Sequence, residues 1–343
     1  MPDFIALGEI LVDLVSTKSG ASLAETPGFQ KAAGGAPANV AVGLSRLGVS
    51  TGFIGKVGAD EFGSYLISVL AEDGVDTSRI VREAKAKTGL AFVAVSESGE
   101  REFLFYRNPG ADMLLSPRDL EVAYIRSAQA FHFGAVSLIS ESSRLATHRA
   151  VDVARGNGLL ISFDPNLRLT LWDTESQARL QIDAALKMAD VIKMSQSEME
   201  FLTGTSSPED GCRILSKSGA RLVVITLGKE GCFFAHSSGS GYVPALRVKP
   251  VDSTGAGDGF MAGLLWQILE AKQAADAKTG ATFWERKDKP ANSFLSSLSH
   301  ERLEEICRVA NVVGALVTLE RGAIPALPSR EKVLAALAKE RTA

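Results

Sequence analysis

The chain has 343 residues, of which 45% are hydrophobic and 22% charged, and its formal net charge is −3. These values are typical of a globular protein with a sizeable core, and a charge so close to zero gives no support for binding to nucleic acid or to a membrane surface. The three cysteines, Cys212, Cys232 and Cys307, are scattered and odd in number, which favours free thiols in a reducing compartment over a disulfide framework.

The N-terminal segment and the apolar runs indicate where the protein resides. The first residues lack the basic region of a signal peptide and meet acidic side chains early. No apolar run approaches the length of a membrane-spanning helix. We therefore expect a cytoplasmic protein.

In the first third of the chain the sequence pattern predicts five strands and two helices. In chain order the pattern predicts strands at 4–7 and 10–15, a helix at 38–47, a strand at 51–57, a helix at 61–72, and strands at 88–96 and 102–107. The last two strands are joined by the turn-like segment Glu97-Ser98-Gly99-Glu100, which predicts an antiparallel hairpin. We expect the segments near 11–35 and 88–110 to form a small separate sheet that acts as a lid.

From Ala130 onward strands and helices alternate. Strands are predicted at 130–133, 159–163, 190–193 and 221–227, and helices at 142–156, 175–188, 208–218 and 301–317. This alternation predicts an α/β fold whose mostly parallel central sheet carries helices on both faces, within a single domain at 1–343. Residues 272–298 are rich in Lys, Ala, Ser and Asp and show weak periodicity, which predicts a long surface insertion.

The segment 252–258, Asp252-Ser253-Thr254-Gly255-Ala256-Gly257-Asp258, runs directly into a predicted helix. A helix N-terminus offers unpaired N–H groups and the positive end of the helix dipole, so it can hold an anion such as a phosphate. Asp258 places a carboxylate beside that site and is a candidate general base, and the helix N-terminus should favour its ionised form. An ordinary tight turn before a helix remains the alternative.

Other polar groups follow predicted strands, where ligands gather in open α/β sheets. Asp13 lies in an apolar run, Asn39 follows the turn Gly34-Gly35, Arg168 follows Asp164-Pro165-Asn166, and Glu198 follows a strand. A carboxylate such as that of Glu198 suits Mg²⁺, directly or through water. Each also has a structural alternative: a salt-bridged strand residue, a glycine turn, an Asp-Pro turn or a helix-surface glutamate.

Two signatures in this order resemble the PfkB, or ribokinase-like, family of sugar kinases, and within it the fructokinases. They are Ala33-Gly34-Gly35-Ala36-Pro37-Ala38-Asn39 and Asp252-x-Thr254-Gly255-Ala256-Gly257-Asp258, with Asp164-Pro165-Asn166 and Glu198 between them. Fructokinase-like stretches also occur at 105–113, 132–134, 164–169 and 320–328. The resemblance implies a ribokinase-like fold and ATP-dependent transfer of a phosphoryl group to the 6-hydroxyl of D-fructose.

The resemblance also implies a role for each matching position. For catalysis it implies Asp258 as the base and the backbone of Gly255, Ala256 and Gly257 as the anion hole. For sugar binding it implies Asp13, Gly34, Gly35, Asn39, Arg107 and Arg168, and for ATP binding Lys193, Thr226, Gly228, Gly231 and Asn311. It further implies Glu198 at Mg²⁺, and a K⁺ loop of Asp252 and Thr254 with carbonyls near Val317, Glu320, Gly322 and Ala326.

One position departs from the family pattern. The usual Asn-x-x-Glu motif reads Ser195-Gln196-Ser197-Glu198 here, a substitution that fructokinase-like members often carry, and the role of the asparagine does not transfer to Ser195. The sequence leaves 2-keto-3-deoxygluconate, ribose or a nucleoside open as substrates. A catalytically idle homologue is also open, although the intact Asp258 counts against it. The family resemblance further implies a homodimer formed through the lid.

Overall fold

The computed structural model describes residues 1–18, 20–95, 101–279 and 291–340. The strands are β1 Phe4–Leu7, β2 Leu11–Ser16, β3 Phe29–Gly34, β4 Thr51–Gly58, β5 Asp76–Glu83, β6 Leu90–Val95, β7 Arg101–Tyr106, β8 Ala130–Gly134, β9 Leu160–Asp164, β10 Val191–Ser195, β11 Leu222–Thr226, β12 Cys232–His236 and β13 Gly239–Val243. The helices are α1 Ala36–Arg46, α2 Glu61–Glu72, α3 Val122–Arg126, α4 Glu141–Gly156, α5 Glu175–Leu186, α6 Gln196–Thr203, α7 Pro208–Leu215, α8 Ala256–Thr279, α9 Ala291–Ser296, α10 His300–Val317 and α11 Arg330–Glu340.

Nine strands form the central sheet, in the order β13-β12-β11-β10-β9-β8-β1-β4-β5. The pairs from β11 to β5 are parallel, and β12 and β13 are added antiparallel at one edge. Inner strands such as β1 and β8 are buried along their whole length, as a sheet covered on both sides requires, whereas the edge strands β5 and β13 are partly exposed. The predicted mostly parallel α/β fold is confirmed.

Two hydrophobic cores lie on the two faces of the sheet. One packs α1, α8 and α10 against it and includes Val40, Leu264 and Val313, all at most 1% exposed. The other packs α4 and α5 and includes Ala150 and Ile182. Because both faces are sealed, polar groups reach solvent mainly where the strands end.

The small sheet has the order β3-β2-β6-β7. Strand β2 pairs antiparallel with β3 and parallel with β6, and β6 pairs antiparallel with β7. The predicted separate lid sheet is therefore present, although it is mixed, whereas the turn predicted at 97–100 lies outside the described residues. Phe103 and Phe105 line the cavity described below, while Leu104 and Tyr106, which alternate with them, are 47% and 62% exposed.

The segment predicted as a surface insertion, 272–298, is helical at both of its described ends. Helix α8 continues without a break to Thr279, and Lys272 pairs with Asp276 along it at 2.7 Å. At the other end Leu295 and Leu298 are buried in the core, and residues 280–290 lie outside the described part of the chain. The first half of α8 is apolar on all sides because it is buried. The change to polar residues near 272 therefore resembles the end of a helix in the sequence, although the helix continues and only leaves the core there. Within the described residues, no helix combines the length and apolarity needed to cross a bilayer.

Candidate active site

A cavity of about 720 Å³ lies at the carboxyl edge of the central sheet, beneath the lid. Neighbouring parallel strands contribute residues to it at or just after their carboxyl ends: Glu9 follows β1, Asp164 ends β9, Ser195 ends β10 and Thr226 ends β11. The start of α8 and the start of α1 close two further sides. This is the edge at which ligands bind in open α/β sheets.

Asp258 lies in this cavity and is held by two amides. Its Oδ2 accepts a hydrogen bond from Asn39 Nδ2 at 2.7 Å, and its Oδ1 accepts one from Asn166 Nδ2 at 3.4 Å. The two motifs are thus in direct contact, with Asn39 on the first turn of α1 and Asp258 on the first turn of α8. Both residues are only 5–6% exposed, so the carboxylate is oriented within a largely dry site.

The pKa of Asp258 is raised from 3.8 to about 6. Burial is the largest cause, and the Asp164 carboxylate raises it further. The Asn39 hydrogen bond and the charges of Lys193 and Arg168 act in the opposite direction. The helix N-terminus was expected to favour the ionised form of Asp258, and the net effect is the reverse because loss of hydration is the largest contribution. A carboxylate with this pKa is still mostly ionised near neutrality and is a stronger base than an exposed aspartate.

The start of α8 provides the anion site. Gly255 has a φ of +74°, which turns the chain into the helix, and Gly259 N–H makes the first helical hydrogen bond to Gly255 O at 2.7 Å. The N–H groups of Gly257 and Asp258 precede that bond and have no intrahelical acceptor. Of the predicted anion-hole residues, Ala256 already donates to Ser253 O at 3.2 Å.

A buried lysine faces this helix start. Lys193 Nζ donates to Asp164 Oδ2 at 2.8 Å, and a Cβ added to Gly257 would lie 2.8 Å from the same Nζ. Burial alone would lower the pKa of Lys193, but the carboxylates of Asp164, Glu198 and Asp258 together hold it above its ordinary value. The lysine therefore stays cationic beside the anion site, where a phosphate group would meet both its charge and the helix N–H groups.

The predicted sugar-binding residues fall into two groups. Asp13, Gly35, Asn39 and Arg168 line the cavity, and a side chain at Gly34 would collide with the Asp13 carboxylate, so the glycine is needed there. The Arg168 guanidinium lies 5.5 Å from the centre of the Phe103 ring, which joins the cavity floor to the lid. Arg107 is different: it does not line the cavity, and its guanidinium is buried in an ion pair with Asp112.

The predicted ATP-binding residues also divide. Thr226 and Gly228 line the cavity together with Lys193. Asn311 and Gly231 instead support the segment 243–245: Asn311 Nδ2 donates to Val243 O at 3.0 Å and to Pro244 O at 3.2 Å. A side chain at Gly231 would collide with Val243 O. Neither residue lines the cavity.

Glu198 is already committed to protein donors. One carboxylate oxygen accepts from Ser195 N and Ser195 Oγ at 2.7 Å each, and the other accepts from Leu167 N at 2.6 Å. Among the described residues no group of three His, Cys, Asp or Glu side chains could enclose a metal ion. This donor set fits Mg²⁺ held chiefly by the phosphates of a bound nucleotide and by water, with Glu198 reached through water.

The predicted K⁺ loop is assembled by Asp252. Its Oδ1 accepts from Thr254 N at 2.9 Å and from Thr254 Oγ1 at 2.7 Å, and its Oδ2 accepts from Gly322 N at 2.9 Å. Two segments that are distant in sequence are thereby tied together directly beneath the anion site, since Thr254 precedes Gly255. The remaining carbonyls of the set are those of Val317, Glu320, Gly322 and Ala326. Val317 O also accepts from Glu320 N at 3.5 Å.

Sequence reasoning missed several residues of this cavity. Phe103 and Phe105 come from the lid, and Glu9 follows the first strand. Asn166 was expected at the ligand edge, but its hydrogen bond to the predicted base was not. The strand-end rule that pointed to the segment at 164–168 applies equally to Glu9 and could have found it. For the two phenylalanines there was no such signal, because alternation along β7 does not say which face meets the cavity.

Comparisons with known proteins agree with this geometry. A family model described as pfkB family carbohydrate kinase matches residues 1–330. The chain is 44% identical over 337 residues to fructokinase-1 of Zea mays, covering 98% of this chain and 97% of that protein. A crystal structure of fructokinase with bound ATP from Xylella fastidiosa superposes with a TM-score of 0.84 at 32% identity, covering 99% of this chain and all of the other. A fructokinase double mutant from Vibrio cholerae, solved with fructose, ADP and a potassium ion, has a TM-score of 0.81 at 31% identity, with 98% of each chain covered.

Proposed function

Because the chain belongs to the pfkB family of carbohydrate kinases, we propose that it is an ATP-dependent fructokinase. It transfers the terminal phosphoryl group of ATP to the 6-hydroxyl of D-fructose and releases fructose 6-phosphate and ADP. The observation that carries the proposal is Asp258, held by Asn39 and Asn166 at the start of α8. That arrangement places a base and an anion site on the same turn of helix.

The chemistry follows from these positions. Asp258 accepts the proton as the sugar hydroxyl attacks the phosphorus, and the bond to the ADP oxygen breaks in line with it. The N–H groups at the start of α8 and the ammonium of Lys193 stabilise the charge on the transferred group. Phe103 and Phe105 cover the cavity from the lid and limit the access of water, which would otherwise take the place of the sugar.

Two cations complete the proposal. Mg²⁺ would bridge the ATP phosphates and neutralise their charge, with Glu198 on its water shell. K⁺ would bind in the loop that Asp252 ties together and would keep the neighbouring N–H groups of the anion site in place. The Vibrio cholerae structure contains a potassium ion, which supports a K⁺ site in this chain as well.

We also propose that two copies of the chain associate through their lids. Phe92 makes edge contacts with Phe29 and Tyr106, with ring centres 5.0 and 5.4 Å away, on the face opposite the cavity. Phe29, Leu104 and Tyr106 on that face are 37–62% exposed, an apolar surface that a second lid would cover. A dimeric mass in solution that becomes monomeric in Leu104→Glu supports this, whereas a monomeric wild-type protein contradicts it.

A sugar panel tests the proposed function. ADP release is measured with fructose, glucose, ribose, 2-keto-3-deoxygluconate and a nucleoside, and the phosphorylated carbon is identified by phosphorus NMR. We expect fructose to have the highest kcat/KM and the product to carry phosphate on carbon 6. Clearly faster turnover of ribose or 2-keto-3-deoxygluconate would overturn the choice of sugar, and no turnover with any sugar would favour an idle homologue.

A cytoplasmic location remains a prediction.

A further inference from the structure

Glu9 is a buried glutamate between the central sheet and the lid. It comes two residues after β1, lines the cavity, and is only 6% exposed. Its Oε1 accepts a hydrogen bond from Ala36 N at 3.1 Å. Ala36 is the first residue of α1, whose N-cap residue, Gly35, has no side chain that could supply this acceptor. Glu9 therefore caps the helix that carries Asn39.

The second carboxylate oxygen of Glu9 has no such use. Glu9 Oε2 is buried and has no hydrogen-bond partner among the described residues, and the same holds for Arg107 Nε and Asp112 Oδ1. An unpaired buried acceptor on an ionised group is costly. Two acceptors and one donor of complementary charge lie in one region, since Glu9 is two residues before Leu11, and Leu11, Arg107 and Asp112 all pack around Gly89. The charges of Arg107 and Asp112 accordingly act on the pKa of Glu9 in opposite directions.

This region lies at the base of the lid. The chain enters the lid at Leu11 and leaves it at Gly34, then enters again at Leu90 and leaves again at Tyr106. A Cβ added to Gly89 would lie 3.5 Å from Arg107 Cβ and from Asp112 Oδ1, and 3.7 Å from Leu11 Cβ. The Arg107–Asp112 pair therefore packs against the points where the chain enters the lid, at Leu11 and Leu90. Glu9 lies two residues before Leu11, and its hydrogen bond to Ala36 reaches the point where the chain leaves the lid at Gly34.

We propose that Glu9 is a positioning residue that couples the lid to the sugar pocket, with Oε1 holding the turn at Gly35 and Ala36 while Oε2 receives the guanidinium of Arg107 when the lid closes on bound sugar. Closure would then pair the unused donor, Arg107 Nε, with the unused acceptor, Glu9 Oε2. The same contact would fix the turn next to Asn39 and hence the position of the base. Glu9 itself touches neither the reacting hydroxyl nor the phosphate.

The variant Glu9→Gln tests this, because its amide oxygen still accepts from Ala36 while the charge and one acceptor are lost. We expect kcat/KM for fructose to fall about tenfold to a hundredfold, the effect of one hydrogen bond to a charged group, with KM for ATP nearly unchanged. We also expect Glu9→Gln to melt no lower than wild type. A residue that only caps α1 would leave kcat/KM within about twofold, since the capping bond is retained.

A double-mutant cycle with Arg107→Met identifies the partner. If Glu9 acts through Arg107, the double variant should be no slower than the slower single variant, whereas independent actions would multiply. The matched control is Asp119→Asn, which breaks another largely buried ion pair, with Lys56 at 2.9 Å, in which neither Glu9 nor Arg107 takes part. It should lower thermal stability and leave KM for fructose unchanged.

Closure is read directly by hydrogen exchange of peptides covering 101–107, with and without sugar and a non-hydrolysable ATP analogue. Wild type and Asp119→Asn should become protected on binding both ligands, and Glu9→Gln should not. Equal protection in Glu9→Gln, or multiplicative effects in the cycle, would overturn the proposal. Because the proposal for Glu9 rests on the proposed function, these experiments use whichever sugar the wild type phosphorylates fastest. An error in the choice of fructose is then detected separately from an error in the role of Glu9.

Discussion

Asn39 Nδ2 donates to Asp258 Oδ2 at 2.7 Å, although the two residues are 219 positions apart. The contact joins the glycine turn before α1 to the glycine turn before α8, and both helices lie on the same face of the sheet. An amide that donates to one carboxylate oxygen leaves the other oriented toward the cavity, where it accepts from Asn166 Nδ2 at 3.4 Å. Asn39 thereby orients Asp258 and partly opposes the rise in its pKa that burial causes.

Replacing Asp258 by asparagine should remove the base while preserving its shape. We expect kcat to fall by about 10²–10⁴, the usual contribution of a positioned base, with the KM values for sugar and ATP little changed. Thermal stability at pH 8 should not decrease, because the raised pKa shows that the ionised carboxylate is costly to bury. Steady-state kinetics and a melting curve test this. A folded variant that binds both substrates and keeps more than about a tenth of its turnover would show that Asp258 is not the base.

The rate should depend on pH through two buried carboxyl groups. Asp258 has a pKa of about 6, and burial raises that of Glu9 to about 7, with Arg107 lowering it and Asp112 raising it. We expect kcat/KM to fall as the pH drops through this range. In Glu9→Gln the upper group is absent, so the fall should begin near pH 6. In Asn39→Ala it should begin at higher pH, because a hydrogen bond that lowers the pKa of Asp258 is lost. An acid limb that stays in the same place in both variants would contradict these assignments.

Stability should respond to pH in the opposite sense. For both groups the folded-state pKa, about 6 and about 7, lies above the ordinary values of 3.8 and 4.5. The folded protein therefore binds more protons than the unfolded chain in this interval, and the contribution of these groups to the free energy of unfolding falls as the pH rises through it. Denaturant unfolding of wild type and Glu9→Gln across this pH interval isolates the contribution of Glu9 to the free energy of unfolding. The stability difference between them should grow in favour of the variant as the pH rises.

Breaking the Asp252 crosslink should abolish the response to K⁺. In Asp252→Asn an amide NH₂ must face either Gly322 N–H or the Thr254 donors, since Asp252 accepts from both. We expect the wild-type rate to rise when a large organic cation is replaced by K⁺, and the variant to be slow in both salts. A wild-type rate that is equal in the two salts would remove the K⁺ site from the proposal.

The glycine at 255 should resist substitution for two reasons. Its φ is +74°, and an added Cβ would lie 2.9 Å from Ala323 Cα, which belongs to the backbone of the neighbouring loop. We expect Gly255→Ala to lose roughly 1–3 kcal/mol of stability from strain and to lose turnover as well, because the anion site shifts. Gly219→Ala is the matched control, with a φ of +98° and open space around the position. It should lose stability but keep kcat.

How much of the site could be predicted depended on the kind of signal. The glycine turns, Asp258 and Asn39 are local patterns, and their motifs placed them correctly in the cavity. Asn311 and Gly231 also matched a pattern, and the structure shows them in contact with the segment 243–245, because a match cannot say whether a side chain faces a ligand or the protein. Their role in ATP binding stays a prediction. Phe103 and Phe105 lie in the predicted lid strand at 102–107, but nothing in the sequence showed that their side chains face the cavity.

What the sequence determined by itself was the alternation of strands and helices that builds the parallel sheet, and with it the edge at which the site lies, although β3, β5, β12 and β13 were not predicted. These follow from periodicity and from turn residues, which act over a few positions and need no knowledge of the rest of the chain. Only the tertiary structure decided that Asp258 is buried against Asn39, that Arg107 turns toward Asp112, and that Glu9 keeps an unused oxygen at the base of the lid. Those facts depend on which residues that are distant in sequence become buried next to one another. Loss of hydration and nearby charges, rather than local sequence, set the pKa and the hydrogen-bond partners of a buried side chain.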